Sequence, residues 1–148
     1  CRPVELDGIP YFDGGLTDAI PVRRALAQGC DKLVVILSKN RGYVRKPQGM
    51  RPLYRRACRK YPNIVEAIDH RDLRYNENLN DVLALGQQGI AFVFAPSEPL
   101  HVGTYSMKES AERELYDLGL RDYAAQRETL REFLVSGRRS QDKVPERM

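Results

Sequence analysis

Leu33-Val34-Val35-Ile36-Leu37 is an unbroken apolar run, rich in β-branched residues and bracketed by Asp31-Lys32 and Ser38-Lys39. A strand with one wet face alternates apolar and polar residues. An uninterrupted run of this length reads instead as a strand covered on both faces, as in a parallel sheet. Ile90 to Ala95 (IAFVFA) repeats the pattern and is closed by Pro96 and Pro99. A shorter strand is expected at Ile9 to Phe12, followed by a turn over Asp13 to Asp18. Pro21 then pre-sets the helical φ, Val22, Ala25 and Leu26 fall at helical spacing, and Gly29 supplies a stop. Strand, helix and buried strand in that order favour a right-handed βαβ crossover, so the fold class expected is α/β.

Downstream the chain reads as mostly helical. Ser38 to Gly49 is a loop of Gly, Pro and basic residues. Helices are expected from about Arg51 to Lys60, from Asn63 to Asp69 and from Asn78 to Gln88, with Pro62 breaking the first and Gly89 ending the last. Ser106-Met107-Lys108-Glu109 fits a capping box and opens a helix that runs to Gly119. A final helix is expected from Arg121 to Val135, and the polar residues after Ser136 read as a frayed tail.

The 148 residues suit one ordinary domain able to bury a core, and 42% hydrophobic with 30% charged residues is a soluble, globular composition. The formal net charge of +4 is concentrated in one stretch. Arg41, Arg45, Lys46, Arg51, Arg55, Arg56, Arg59 and Lys60 occur there with no acid among them. Such a cluster attracts phosphate head groups or nucleic acid, and its plainer reading is a solvated helix face. Cys1, Cys30 and Cys58 have no metal-ligand spacing and cannot all pair, which fits a reduced, cytoplasmic setting. No apolar run is long enough to span a bilayer. The chain opens on Cys1, and the strand-like sequence that follows at once argues for a cut through a longer polypeptide over a lipoprotein anchor.

Asp13-Gly14-Gly15 is the triplet most suggestive of chemistry. It places a carboxylate at a strand end, beside two glycines that tolerate positive φ and allow another segment to approach. An aspartate there could accept a serine proton directly, provided that the two come within about 2.6–3.2 Å. A partly desolvated setting would raise its basicity by penalising the charged form. The alternative is that Asp-Gly-Gly simply makes a tight turn.

The stretch PVELDGIPYFDGGLTDAIPV, continued by RALAQGCDKLVVILS, resembles the bacterial patatin-like phospholipase family over more than thirty positions. Tyr75-Asn76-Glu77 and Phe94-Ala95-Pro96-Ser97 are similar to segments of the same family, and the resemblance covers about residues 3–135. It implies a partial patatin-like fold, a parallel-sheet three-layer α/β architecture with a helical C-terminal region. Residues 1–38 would complete the catalytic core, 39–137 would form the helical and strand region, and 138–148 a flexible tail. It also implies that Asp13 is the base of a Ser-Asp dyad, with Gly14 and Gly15 completing the motif. The substrate would be a lipid or other ester, with no cofactor and no metal. The family's serine stands in a G-x-S-x-G elbow, and that pattern is absent from the 148 residues. The chain is therefore expected to be the aspartate-bearing half, inactive without an N-terminal half that carries the serine and the oxyanion donors.

Asp13 with His70 or His101 would satisfy the chain order of an α/β-hydrolase triad, although both histidines read as surface or loop residues. Ser38, Ser97, Ser106, Ser110, Ser136 and Ser140 lack elbow glycines, and Ser38 reads as a strand-end hydrogen bonder. Tyr54, Tyr61 and Tyr75 interleave with arginines, which suits packing better than base stacking. Cys30 reads as a small buried apolar residue. No zinc spacing, G-x-x-x-x-G-K-[ST] or G-x-G-x-x-G is present, and no nucleic-acid partner is expected. Peripheral contact with a membrane through Arg41 to Lys60, and self-association through an open sheet edge, follow as further expectations. The rival function is a non-enzymatic interaction module.

Overall fold

The computed structural model describes residues 3–99 and 109–136. In chain order the elements are β1 (Val4–Leu6), β2 (Ile9–Tyr11), a 3-10 turn (Gly14–Leu16), α1 (Val22–Ala27), β3 (Leu33–Ile36), α2 (Arg51–Ala57), α3 (Pro62–Asp69), α4 (Arg71–Gln87), β4 (Ala91–Phe94) and α5 (Glu109–Val135). The fold is mixed α/β with a small parallel sheet and a long C-terminal helix. It divides into two units: Cys1–Leu33 with Gly42–Val93, and Val34–Arg41 with Phe94–Met148.

In the first unit β1 and β2 form an antiparallel hairpin with Val4 opposite Tyr11 and Leu6 opposite Ile9. Asp7 and Gly8 carry the turn at φ +51° and +76°. Two consecutive positive φ values are what a two-residue turn needs to match strand twist, and Asp-Gly is a favoured pair there. The expected strand at Ile9 therefore exists but pairs backwards with β1, and the expected crossover from it to Leu33 does not form. β3 pairs with β4 instead.

Helix α4 supplies the centre of this unit. Tyr75, Leu79 and Val82 follow at i, i+4 and i+7 and are buried, Val82 completely. Leu16, Val22, Ala67, Ala91 and Val93 are buried in the same unit. The helix begins at Arg71 and not at Asn78. Its polar first turns hide the start from an apolar-periodicity reading, although Asp72 there suits the positive end of the helix. The other end is a Schellman motif in which the Ile90 N–H donates to Leu85 O (3.0 Å) and the Gly89 N–H to Gly86 O (3.1 Å). Gly89 sits at φ +69°. Gly29 ends α1 in the same way, so both expected glycine stops are present.

The Leu33 N–H donates to Ile90 O (2.9 Å) in the first unit and the Leu37 N–H to Phe94 O (2.8 Å) in the second. Both registers advance together, as parallel pairing requires. β4 is covered along its length, as expected, but β3 is not: Val34 is 44% and Ile36 79% exposed. The run is thus apolar on both sides, with Leu33, Val35 and Leu37 better covered than Val34 and Ile36.

In the second unit α5 runs unbroken through Gly119. Ala111, Leu115, Leu118, Asp122, Gln126, Leu130 and Phe133 are its better-covered positions and recur at steps of three and four. A lone mid-helix glycine costs about 1 kcal/mol, which the continuing stripe outweighs. The expected capping box at Ser106 and the tail 138–148 lie outside the described residues.

Candidate functional site

The Asp13 turn is built from the backbone outward. Asp13 is the N-cap of the 3-10 turn, and its Oδ1 accepts the Gly15 N–H at 2.8 Å. Thr17 closes the other end by donating its hydroxyl to Gly14 O (3.1 Å). Neither glycine makes use of its tolerance of positive φ. Gly15 is needed for a different reason, since a Cβ there would stand 3.2 Å from Asp13 Oδ1. Asp13 is exposed, so the desolvation expected of a strong base does not arise among the described residues. Its Oδ2 has no hydrogen-bond partner among them. The turn thus fixes the carboxylate by one oxygen and leaves the other open.

One seam of α4 holds the segment in place. Arg71 Nε donates to Gly15 O (3.0 Å), Asn78 Nδ2 to Asp18 Oδ1 (2.8 Å) and Arg23 Nε to Asp81 Oδ2 (2.6 Å). The helical positions 71, 78 and 81 lie along one side of α4, so a single rigid element aligns the turn and α1. The Phe12 ring meets Tyr61 edge to face at 5.0 Å, which fixes the residue before Asp13.

Tyr75-Asn76-Glu77 performs a different task. Asn76 Oδ1 accepts the Arg45 N–H (2.9 Å) while its Nδ2 donates to Arg45 O (3.1 Å). The side-chain amide thereby replaces a backbone partner and ties the loop before α2 to α4. Tyr43 stands edge-on to Tyr75 at 5.7 Å, and the Arg45 guanidinium lies 5.4 Å from the Tyr75 ring centre. Burial pushes the Tyr75 phenol up, and the neighbouring Tyr43 adds to it.

Asp69 is the charge centre that the sequence reading missed. It accepts hydrogen bonds from Arg55 Nη2 (2.6 Å), Arg51 Nη2 (3.1 Å) and the Tyr54 hydroxyl. These donors, Arg55 first, hold its carboxyl well below the usual carboxylate range. Arg51 and Arg55 stand one turn apart, the signal that could have pointed to a shared acid. The tyrosines 54, 61 and 75 are engaged in packing and hydrogen bonds, as their plainer reading expected.

The remaining sequence candidates do not join Asp13. The His70 ring bonds its own helix at Glu66 O (3.0 Å), and His101 lies outside the described residues. Cys30 is exposed, not buried, because it follows the Gly29 stop into a surface turn; the buried thiol is Cys58. No group of His, Cys, Asp or Glu among the described residues could hold a metal ion. No helix among them is long and apolar enough to cross a membrane.

The second unit holds a cavity of about 320 Å³ whose walls include Ile36, Leu37, Phe94, Pro96, Leu118 and Tyr123. Ser38, expected to bond at a strand end, lies on its wall. Phe94, Ala95 and Pro96 line the same cavity, and Asp122 accepts the Ser97 N–H (3.0 Å), which fixes the end of that wall to α5.

Residues 61–135, from Tyr61 before α3 to the end of α5, match a family described as Domain of unknown function (DUF6363). The chain is also similar to Uncharacterized protein YjjU of Escherichia coli (strain K12), with 32% identity over 117 residues, 78% of this chain and 33% of the relative. It thus spans about a third of the length of the curated relative it matches. No solved structure matches it. The family match takes in α3, α4, β4 and α5 and half of the sequence, and by it the chain belongs to the DUF6363 family.

Proposed function

We propose that this chain carries the proton-accepting aspartate of a patatin-like serine acyl hydrolase that cleaves carboxylic esters of lipids. The observation that supports this most is the Asp13 carboxylate, held at Oδ1 by the Gly15 N–H with Oδ2 unpartnered among the described residues. The serine and the oxyanion donors belong to a polypeptide segment other than these 148 residues. When that segment packs over the turn, the serine hydroxyl donates its proton to Asp13 Oδ2 while its oxygen attacks the ester carbonyl. The same packing removes water from Asp13 and raises its basicity. The small parallel sheet then becomes one part of a three-layer α/β core, the reaction needs no cofactor or metal, and the chain by itself is inactive. A cytoplasmic setting fits the lone free thiols.

A second reading has its own observation. Val4, Leu6, Ile9 and Tyr11 are each more than half exposed on one face of the hairpin, which suits a docking module without catalysis.

Fluorophosphonate labelling separates the two, applied to the complete gene product in wild-type and Asp13→Asn forms beside the 148-residue chain. The expected result is labelling of the wild-type product alone, with at least a hundredfold loss in the variant. Equal labelling of wild type and variant demotes Asp13 to a turn cap. No labelling of any form leaves the docking module.

A further inference from the structure

We propose that the outer side of α2 and the turn after it form a docking strip for an anionic lipid surface. No Asp or Glu occurs between Asp31 and Glu66. Asp69 reaches α2 in the fold and engages its inner side through Arg51, Tyr54 and Arg55. Cys58, one turn beyond Tyr54, is buried on that side. The opposite side carries Met50, Leu53 and Arg56 at steps of three, with Arg59 and Lys60 in the following turn. All three cations are exposed, and none has an ion-pair partner among the described residues. Their charge is therefore uncompensated, whereas that of Arg51 and Arg55 is not.

The same side exposes two large apolar side chains. Met50 is 72% and Leu53 58% accessible. Met50 also holds φ +59°, a left-handed conformation that side-chain-bearing residues rarely adopt. Cations around exposed aliphatic groups match an interface whose head groups are anionic and whose acyl boundary lies a few ångströms deeper. A nucleic acid would satisfy Arg56, Arg59 and Lys60 but gives Met50 and Leu53 no role, so charge and apolar exposure together favour the membrane. Arg45, by contrast, is bound to Asn76 and Tyr75 and is not part of the strip. This inference does not depend on the acyl-hydrolase reading, although the Phe12–Tyr61 contact brings the Asp13 turn next to the strip's end at Lys60.

The test is co-sedimentation of the 148-residue chain with phosphatidylglycerol–phosphatidylcholine vesicles and with pure phosphatidylcholine vesicles in about 0.1 M salt. A duplex oligonucleotide is titrated in parallel. Binding is expected to the anionic vesicles alone. Arg56→Glu/Arg59→Glu/Lys60→Glu should lose about a hundredfold in affinity. Met50→Gly/Leu53→Gln should lose about tenfold while leaving oligonucleotide binding unchanged. The glycine suits φ +59°, so the second variant removes apolar surface without straining the fold. Failure of the wild type to bind anionic vesicles overturns the proposal, as does binding that neither variant weakens. Tighter binding to the oligonucleotide than to the vesicles, insensitive to Met50 and Leu53, would assign the strip to nucleic acid instead.

Discussion

Asp69 shows how far a single side chain reorganises what its neighbours can do. Its side chain is 11% exposed and meets two guanidinium groups and a phenol, so its ionised form gains a stabilisation in the folded chain that the unfolded chain lacks. The folded-state value lies below the ordinary 3.9 or so of an unfolded aspartate. The resulting stabilisation is complete above that unfolded value and is lost as the pH falls through the folded one. Asp69→Asn should therefore lower the denaturant midpoint at neutral pH. Its deficit relative to wild type should shrink as the pH is taken from about 5 to about 2. A deficit that stays constant over this range would mean that packing, not charge, carries the effect. The one-turn spacing of Arg51 and Arg55 was legible in the sequence, but their acid was not, because Asp69 meets them only after α2 and α3 fold back on each other. Asp13 was legible, since a carboxylate two residues before a glycine N–H is a local arrangement. Its exposure was not, because solvent access depends on segments far away along the chain.

Elements were legible where their signals were local. The apolar runs at 33–37 and 90–95 became β3 and β4, and both Gly29 and Gly89 end helices. The errors have a common physical cause: long-range partners overrode local preference. Ile9 to Tyr11 pairs with β1 because Asp7-Gly8 supplies the hairpin turn, and the α5 stripe carries the helix across Gly119. Glycine stops a helix only where the chain also leaves the axis. At Gly89 it does so at φ +69°, with Ile90 proceeding straight into the sheet. Gly89→Ala should accordingly cost about 1 kcal/mol of unfolding free energy in chemical denaturation. Gly119→Ala, mid-helix and with open space at its Cβ, should gain a similar amount. Equal effects of the same sign would mean that the two glycines are not used differently.

For the whole molecule, the unresolved balance is apolar surface left in water. An open sheet edge was the expectation from the sequence, and the first unit also leaves an apolar hairpin face of Val4, Leu6, Ile9 and Tyr11 exposed. It could not be located in advance, because it exists only once the Asp7-Gly8 turn sets the register that puts these four on one side. Contiguous apolar faces of this kind rarely remain wet; they are covered by another polypeptide segment or by a second copy. The isolated 148-residue chain should therefore associate with rising concentration in sedimentation velocity. Leu6→Thr/Ile9→Thr places two strand-favouring residues there while removing two of the four exposed apolar side chains, so it should shift the chain toward monomer without unfolding it. If the chain is strictly monomeric across the series, water alone covers the face and the hairpin does not act as an interface. If the double variant associates as strongly as wild type, the contact lies elsewhere, and the exposed Val34 and Ile36 of β3 become the next positions to change. The complete gene product provides the decisive comparison. If further polypeptide covers the hairpin there, that product should be monomeric where the 148-residue chain associates, and it should then be insensitive to the threonine pair.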